Sequence, residues 1–135
     1  MNPAIQAFFD EQTFTVTYLV SDPASRRAVV IDPVLDFDPK AARTATRSAD
    51  RLREAVKAGG LAVEWILETH AHADHLSAAA YLKGATGARV AIGEHIRDVQ
   101  KVFAPIFDAK DVTGDGAPFD RLLKNGETLF VGSLA

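Results

Sequence analysis

Apolar positions along this chain change their period several times, and each change marks a strand or a helix. Ile5 to Phe9 is a first short apolar run, and Thr13 to Val20 is rich in β-branched and aromatic residues, the composition of a strand. A turn cluster, Ser21 to Ser25, separates it from a short apolar strand, Ala28 to Ile31, which ends at Asp32-Pro33. Two strands with a short turn predict a hairpin. A helical period then takes over. Asp38 suits an N-cap and Pro39 the first helical position. Ala41, Ala42, Ala45, Ala49, Leu52 and Val56 form the apolar stripe of a helix over 39–58, which Gly59-Gly60 closes. Its Lys, Arg, Asp and Glu residues populate the solvated side.

Leu61 to Glu68 reads as the next strand, and Leu76 to Ala85 as a helix closed by Gly87. Arg89 to Ile92 is a further buried strand. Ile96 to Phe103 is helical by pattern, with Ile96, Val99, Val102 and Phe103 on one side and Pro105 as the stop. Asp108 to Pro118 is polar and Gly-rich, a loop. Arg121 to Leu123 and Thr128 to Val131 predict a second hairpin with Asn125-Gly126 at the turn. After the first short strand the order is β-β-α-β-α-β-α-β-β. Hairpins flanking β-α-β units predict an α/β (α+β) fold: a mixed sheet with helices packed on it.

Composition narrows the function. The length, 135 residues, is that of one domain with room for a core. A net charge of −3 without a basic stripe speaks against a nucleic-acid partner. No apolar run approaches the roughly 18 residues of a membrane helix, so no membrane association is expected. Met1 to Ala4 lacks the pattern of a signal peptide, and a cytoplasmic location is expected. There is no cysteine, which excludes disulfides, Cys-ligated metals and a thiol nucleophile. Any metal must sit on His, Asp and Glu.

The candidate chemistry is concentrated. Three of the four histidines fall in Thr69-His70-Ala71-His72-Ala73-Asp74-His75, after a strand and before a helix. Imidazole is the commonest protein metal ligand, and a carboxylate adds a hard oxygen donor. In an extended segment side chains two apart point the same way, so His70 and His72 can reach one ion together. Asp74 and His75 follow where the chain turns, free to face a second ion. His70, His72, Asp74 and His75 are therefore the candidate metal ligands, and Asp74 is also the candidate catalytic carboxylate. The following helix N-terminus suits an anionic substrate. His95 lacks a convergent partner set. Asp108, Asp111, Asp115 and Asp120 read as solvated turn residues, and Trp65 and Phe8 as packing residues.

These residues carry a resemblance. The run from Thr69 to His75, after Trp65-Ile66-Leu67-Glu68, resembles the signature of the metallo-β-lactamase superfamily, and the hairpin ending in Val30-Ile31-Asp32-Pro33 looks like that family's first strands. The segments His72 to Ala79 and Ile92 to Ile96 resemble the persulfide dioxygenase branch. Glyoxalase II enzymes, the neighbouring branch, usually carry bulkier residues where this chain has Ala71 and Ala73. The resemblance implies a four-layer αβ/βα sandwich of two similar halves with metal at the edge between them. Residues 1–135 would be its N-terminal half, because the family's later histidines and bridging aspartate have no counterpart here. A homo-oligomer, or pairing with the missing C-terminal half, is expected to cover the exposed sheet face.

The resemblance also implies roles. A two-metal member would place His70 and His72 on one ion, and Asp74 and His75 on the other. A persulfide dioxygenase would use one Fe(II), with His70 its ligand from this segment and His72, Asp74 and His75 orienting ligands and water. Asp32 would end its strand near the motif, either accepting a hydrogen bond from a motif histidine or forming a turn before Pro33. Thr69 would support the motif loop. The expected activity of the full-length form is oxidation of glutathione persulfide to sulfite and glutathione. The alternatives are a glyoxalase II-like thioesterase or metallo-hydrolase with one or two zinc ions, and a non-catalytic half-domain. Both enzymatic readings take a small thiol-conjugate substrate.

Overall fold

The computed structural model describes residues 2–135. Strands β1 (Ala4–Asp10), β2 (Thr15–Ser21) and β3 (Arg27–Ile31) form an antiparallel meander. Next come β4 (Val34–Asp38), β5 (Arg43–Ala45) and helix α1 (Arg47–Ala58). After them lie β6 (Ala62–Leu67), the two-residue β7 (Leu76–Ser77) and α2 (Ala79–Thr86). The chain continues with β8 (Arg89–Gly93), α3 (Ile96–Ile106) and β9 (Arg121–Leu123). The main sheet has six strands in the order β1-β2-β3-β6-β8-β9, with β3, β6, β8 and β9 parallel. The mixed α/β architecture read from the pattern is the one observed.

Alternation along the strands decides which side chains meet. Ala28 and Val30 of β3, Ile66 of β6 and Val90 of β8 face Ala49 and Leu52 of α1 and Ala79 and Leu82 of α2. Val29, Trp65 and Ala91 point to the opposite face, where Val131 of the C-terminal segment covers them. Helices α1 and α2 thus pack on one side of the sheet. The Arg89 guanidinium stacks 4.0 Å from the centre of the buried Trp65 ring. Trp65 is a packing residue, as expected.

Four local expectations are corrected. The helix over 39–58 starts only at Arg47, and residues 34–45 make a small hairpin instead. Asp38 does cap, but it caps a turn: its Oδ1 accepts from the backbone N–H groups of Lys40 and Ala41, at 2.9 and 3.2 Å. Asp36 then caps α1 from a neighbouring strand, accepting from Ser48 N at 2.8 Å. The second helix begins at Ala79 rather than Leu76, because Leu76 and Ser77 pair with Leu35 and Val34 in a three-stranded sheet. The third helix runs one residue past Pro105, where the missing N–H costs a single bond near the helix end. The C-terminal hairpin does not form. β9 pairs in parallel with β8, Lys124 to Glu127 is a turn, and Val131 bridges Leu134.

No helix of the described residues is long and apolar enough to cross a membrane.

Candidate metal centre

The C-terminal ends of parallel strands β3 and β6 bring Asp32 beside Glu68 and Thr69. Asp32 N donates to Leu67 O at 2.9 Å, and Glu68 N donates to Ala91 O of β8 at 3.0 Å, so the end of β6 is clamped from both sides. Asp32 adopts φ 52°, a left-handed conformation that Asp tolerates better than most residues. Its Oδ1 accepts from Thr69 N at 2.8 Å and its Oδ2 from Thr69 Oγ1 at 2.7 Å. Of the two options open for Asp32, the structure shows the hydrogen-bonding one: Oδ1 also lies 2.9 Å from His72 Nε2. These bonds tie the start of the loop to the end of β3.

Hydrogen-bond accounting then assigns each imidazole tautomer. The Thr69 hydroxyl spends its proton on Asp32, so His70 Nδ1, 2.8 Å away, donates to Thr69 Oγ1 and His70 Nε2 keeps its lone pair. His72 Nε2 faces two carboxylates, Asp32 at 2.9 Å and Glu68 Oε2 at 2.8 Å, and so carries a proton. That leaves the lone pair on His72 Nδ1. His75 Nδ1 donates to Leu76 O at 2.8 Å, which leaves the lone pair on His75 Nε2. The three rings lie side by side, with centroids 4.1 Å apart for His70 and His72 and 4.2 Å apart for His72 and His75.

These bare nitrogens are the reason to expect a cation. His72 Nδ1 and His75 Nε2 are buried and have no hydrogen-bond partner among the described residues. Buried polar atoms without partners are costly and rare. Asp74 Oδ1 lies 3.6 Å from His72 Nδ1, and one atom each of His72, Asp74 and His75 lie within 4.8 Å of one another. A second grouping, Asp32 with His70 and His72, meets the same distance limit, but the Asp32 oxygens are already committed to Thr69 and His72. The donors of His72, Asp74 and His75, with His70 adjacent, fit a divalent metal; the thiolate-free donor set suits iron or zinc.

The carboxylates around the rings are tuned in opposite directions. Asp74 is held below the usual aspartate range by its own backbone N–H, then by the Thr15 hydroxyl and the neighbouring imidazoles. Glu68 is pushed up by burial, against the hydrogen bonds from Ser77 and His72. Glu68, Ser77 and Thr15 escaped the sequence reading. Glu68 ends an apolar strand and Thr15 lies far away in the chain, so neither joins the motif's spacing. The segment is not extended, yet His70 and His72 still come within reach of each other, with Asp32. β6 ends at Leu67, residues 70–75 bend, and His72 gathers with Asp74 and His75.

His95 is exposed, its Nδ1 3.0 Å from Asp98 Oδ2, and stands outside the cluster. Asp120 is an exposed bend residue, but its carboxylate is tied down. It accepts from Lys83 Nζ at 2.7 and 2.8 Å and from Val90 N at 2.8 Å, tying α2 and β8 to the entry of β9. Beside the histidines, a cavity of about 450 Å³ is lined by His70, Leu76, Ile92, Ile96 and Phe119 among others.

Residues 11–134 match the metallo-beta-lactamase superfamily, and the chain belongs to it. Over 132 residues it is 51% identical to a probable metallo-hydrolase of Burkholderia pseudomallei, covering 97% of this chain and 45% of that protein. It is 37% identical over 79 residues to the mitochondrial persulfide dioxygenase ETHE1 of Homo sapiens, covering 58% of this chain and 27% of that protein. Among solved structures, ETHE1 from Myxococcus xanthus superposes with a TM-score of 0.69 at 27% identity, over 96% of this chain and 44% of that one. The chain spans less than half the length of the curated relatives it matches.

Proposed function

We propose that residues 1–135 are the N-terminal half of a metallo-β-lactamase-fold domain whose full-length form is a persulfide dioxygenase. Its reaction combines glutathione persulfide, O₂ and water to give sulfite and glutathione. The observation that carries this reading is the division of labour among the imidazoles. His70 lines the open cavity and its Nε2 has no hydrogen-bond partner among the described residues, whereas His72 is held between Asp32 and Glu68. That leaves His70 as the exposed imidazole of this segment, to be joined by a histidine and an aspartate from the rest of the protein. A ferrous ion held by such a 2-His-1-carboxylate set would supply O₂ binding and redox chemistry. Thr69 orients the His70 ring, and Asp32 orients Thr69. Ile92, Ile96 and Phe119 give that cavity apolar walls, which suit a soft, polarisable sulfur. The similarity to the human and Myxococcus proteins supports the same reading.

A second reading is a thioester-cleaving metallo-hydrolase with one or two zinc ions. The unpartnered nitrogens of His72 and His75 beside the Asp74 carboxylate favour it, as does the Burkholderia relative. In that reading His70, His72, Asp74 and His75 are all ligands, and ionised Asp74 also orients the attacking water.

The test is metal analysis and turnover of the complete reading frame. About one iron per chain and O₂-dependent sulfite from glutathione persulfide are expected. Two zinc ions and cleavage of a glutathione thioester, without sulfite, would overturn the dioxygenase in favour of the hydrolase.

A further inference from the structure

We propose that Thr15 of β2 is a positioning residue for Asp74, selecting which carboxylate oxygen faces the imidazole nitrogens. The proposal rests on the second, metallo-hydrolase reading, in which His72, Asp74 and His75 bind metal. Thr15 lies 59 positions from Asp74 in sequence, and Thr15 Oγ1 donates to Asp74 Oδ2 at 3.1 Å. The other oxygen, Oδ1, is thereby left 3.6 Å from the bare His72 Nδ1.

Asp74 needs such a partner. Its side chain is 52% exposed, and its segment has no regular hydrogen-bonded structure. A carboxylate in that setting rotates freely, and ordering it when a metal arrives costs entropy. Thr15 is itself fixed, because it pairs with Asp10 in the β1–β2 ladder. Proton counting sharpens the assignment. Thr13 Oγ1 donates its proton to Asp10 Oδ2 at 2.6 Å, and so offers Thr15, 3.0 Å away, only lone pairs. The single Thr15 proton then has two acceptors, the Thr13 oxygen and the Asp74 carboxylate. An ionised carboxylate is the stronger acceptor, so the proton lies on the Asp74 side. The arrangement orients Asp74 before any ligand arrives.

Cobalt(II) titration of the 135-residue chain tests this, read by the d–d absorption bands and by chelator competition. Thr15→Val is expected to weaken cobalt affinity about 10–100-fold and to shift the bands, as loss of a ligand-orienting partner does. Thr15→Ser should restore both, and the metal-free Thr15→Val chain should melt with wild type. Adding Thr15→Val to Asp74→Ala should cost nothing more. Wild-type affinity and spectrum in Thr15→Val would overturn the proposal, as would a lowered melting point of the metal-free variant that accounts for the lost cobalt. Unchanged affinity in Asp74→Ala would instead overturn Asp74 as a ligand, and no cobalt binding by wild type would overturn both.

Discussion

Asp32 supports more of the site than any single ligand does. Two oxygens serve three donors: the Thr69 N–H, the Thr69 hydroxyl and His72 Nε2. Through Thr69 it sets the His70 tautomer, and directly it sets that of His72. Asp32→Ala removes all three acceptor contacts, which loosens Thr69 behind His70 and leaves His72 Nε2 held by Glu68 alone. The expected outcome is metal affinity weaker by about 10–100-fold, measured by chelator competition, with the ligand residues unaltered. The role of Asp32 was open in the sequence because Asp-Pro is also an ordinary turn. Only the parallel pairing of β3 with β6 places that turn beside Thr69.

Between elements, Asp120 joins pieces far apart in the chain. Its carboxyl is held below the usual range first by the Lys83 ammonium, then by the Val90 N–H. A depressed folded value means that its stabilising contribution is present above the ordinary aspartate value and lost as pH falls through the folded one. Asp120→Asn should therefore lower the urea midpoint at pH 7, and the gap to wild type should narrow below about pH 4. A gap independent of pH would contradict the Lys83 pairing. The same scale explains the late start of α1. Intrinsic propensity over 39–46 allows a helix, since Ala and Arg are good helix formers. Tertiary pairing wins: β4 finds partners on both edges, β5 and β7, and Asp36 caps the helix eight residues later than the sequence pattern predicted.

For the whole molecule, stability and function meet at the sheet. Ile66 is fully buried between the sheet and helices α1 and α2, one residue from Trp65 on the opposite face. Ile66→Ala should cost about 2–5 kcal/mol in denaturant unfolding, the range for a cavity left in a packed core. Metal should act in the opposite direction. The bare nitrogens of His72 and His75 are buried at no benefit in the metal-free chain. A metal at about 100 times its dissociation constant should add about 2.7 kcal/mol and raise the melting temperature, reversed by a chelator. A melting temperature indifferent to metal would contradict a preformed site.

Strand and helix periods, the absence of cysteine and the spacing of Thr69 to His75 were sufficient to reach the mixed α/β fold and the cluster of candidate ligands, while the family came from a resemblance of that segment. Those features are local: each follows from side-chain direction and donor type within a few residues. Which nitrogen of each histidine is bare, and that Glu68, Ser77 and Thr15 surround the rings, depended on the tertiary structure. The reason is physical. An imidazole's tautomer is set by whatever hydrogen-bonds its other nitrogen, and here the deciding partners of two of the three rings come from or depend on β3, a separate strand. The missing C-terminal hairpin follows the same logic. Arg121 to Leu123 could have paired with its neighbour in sequence, but the open edge of β8 offered a parallel partner beside a buried sheet, and the longer-range pairing prevailed.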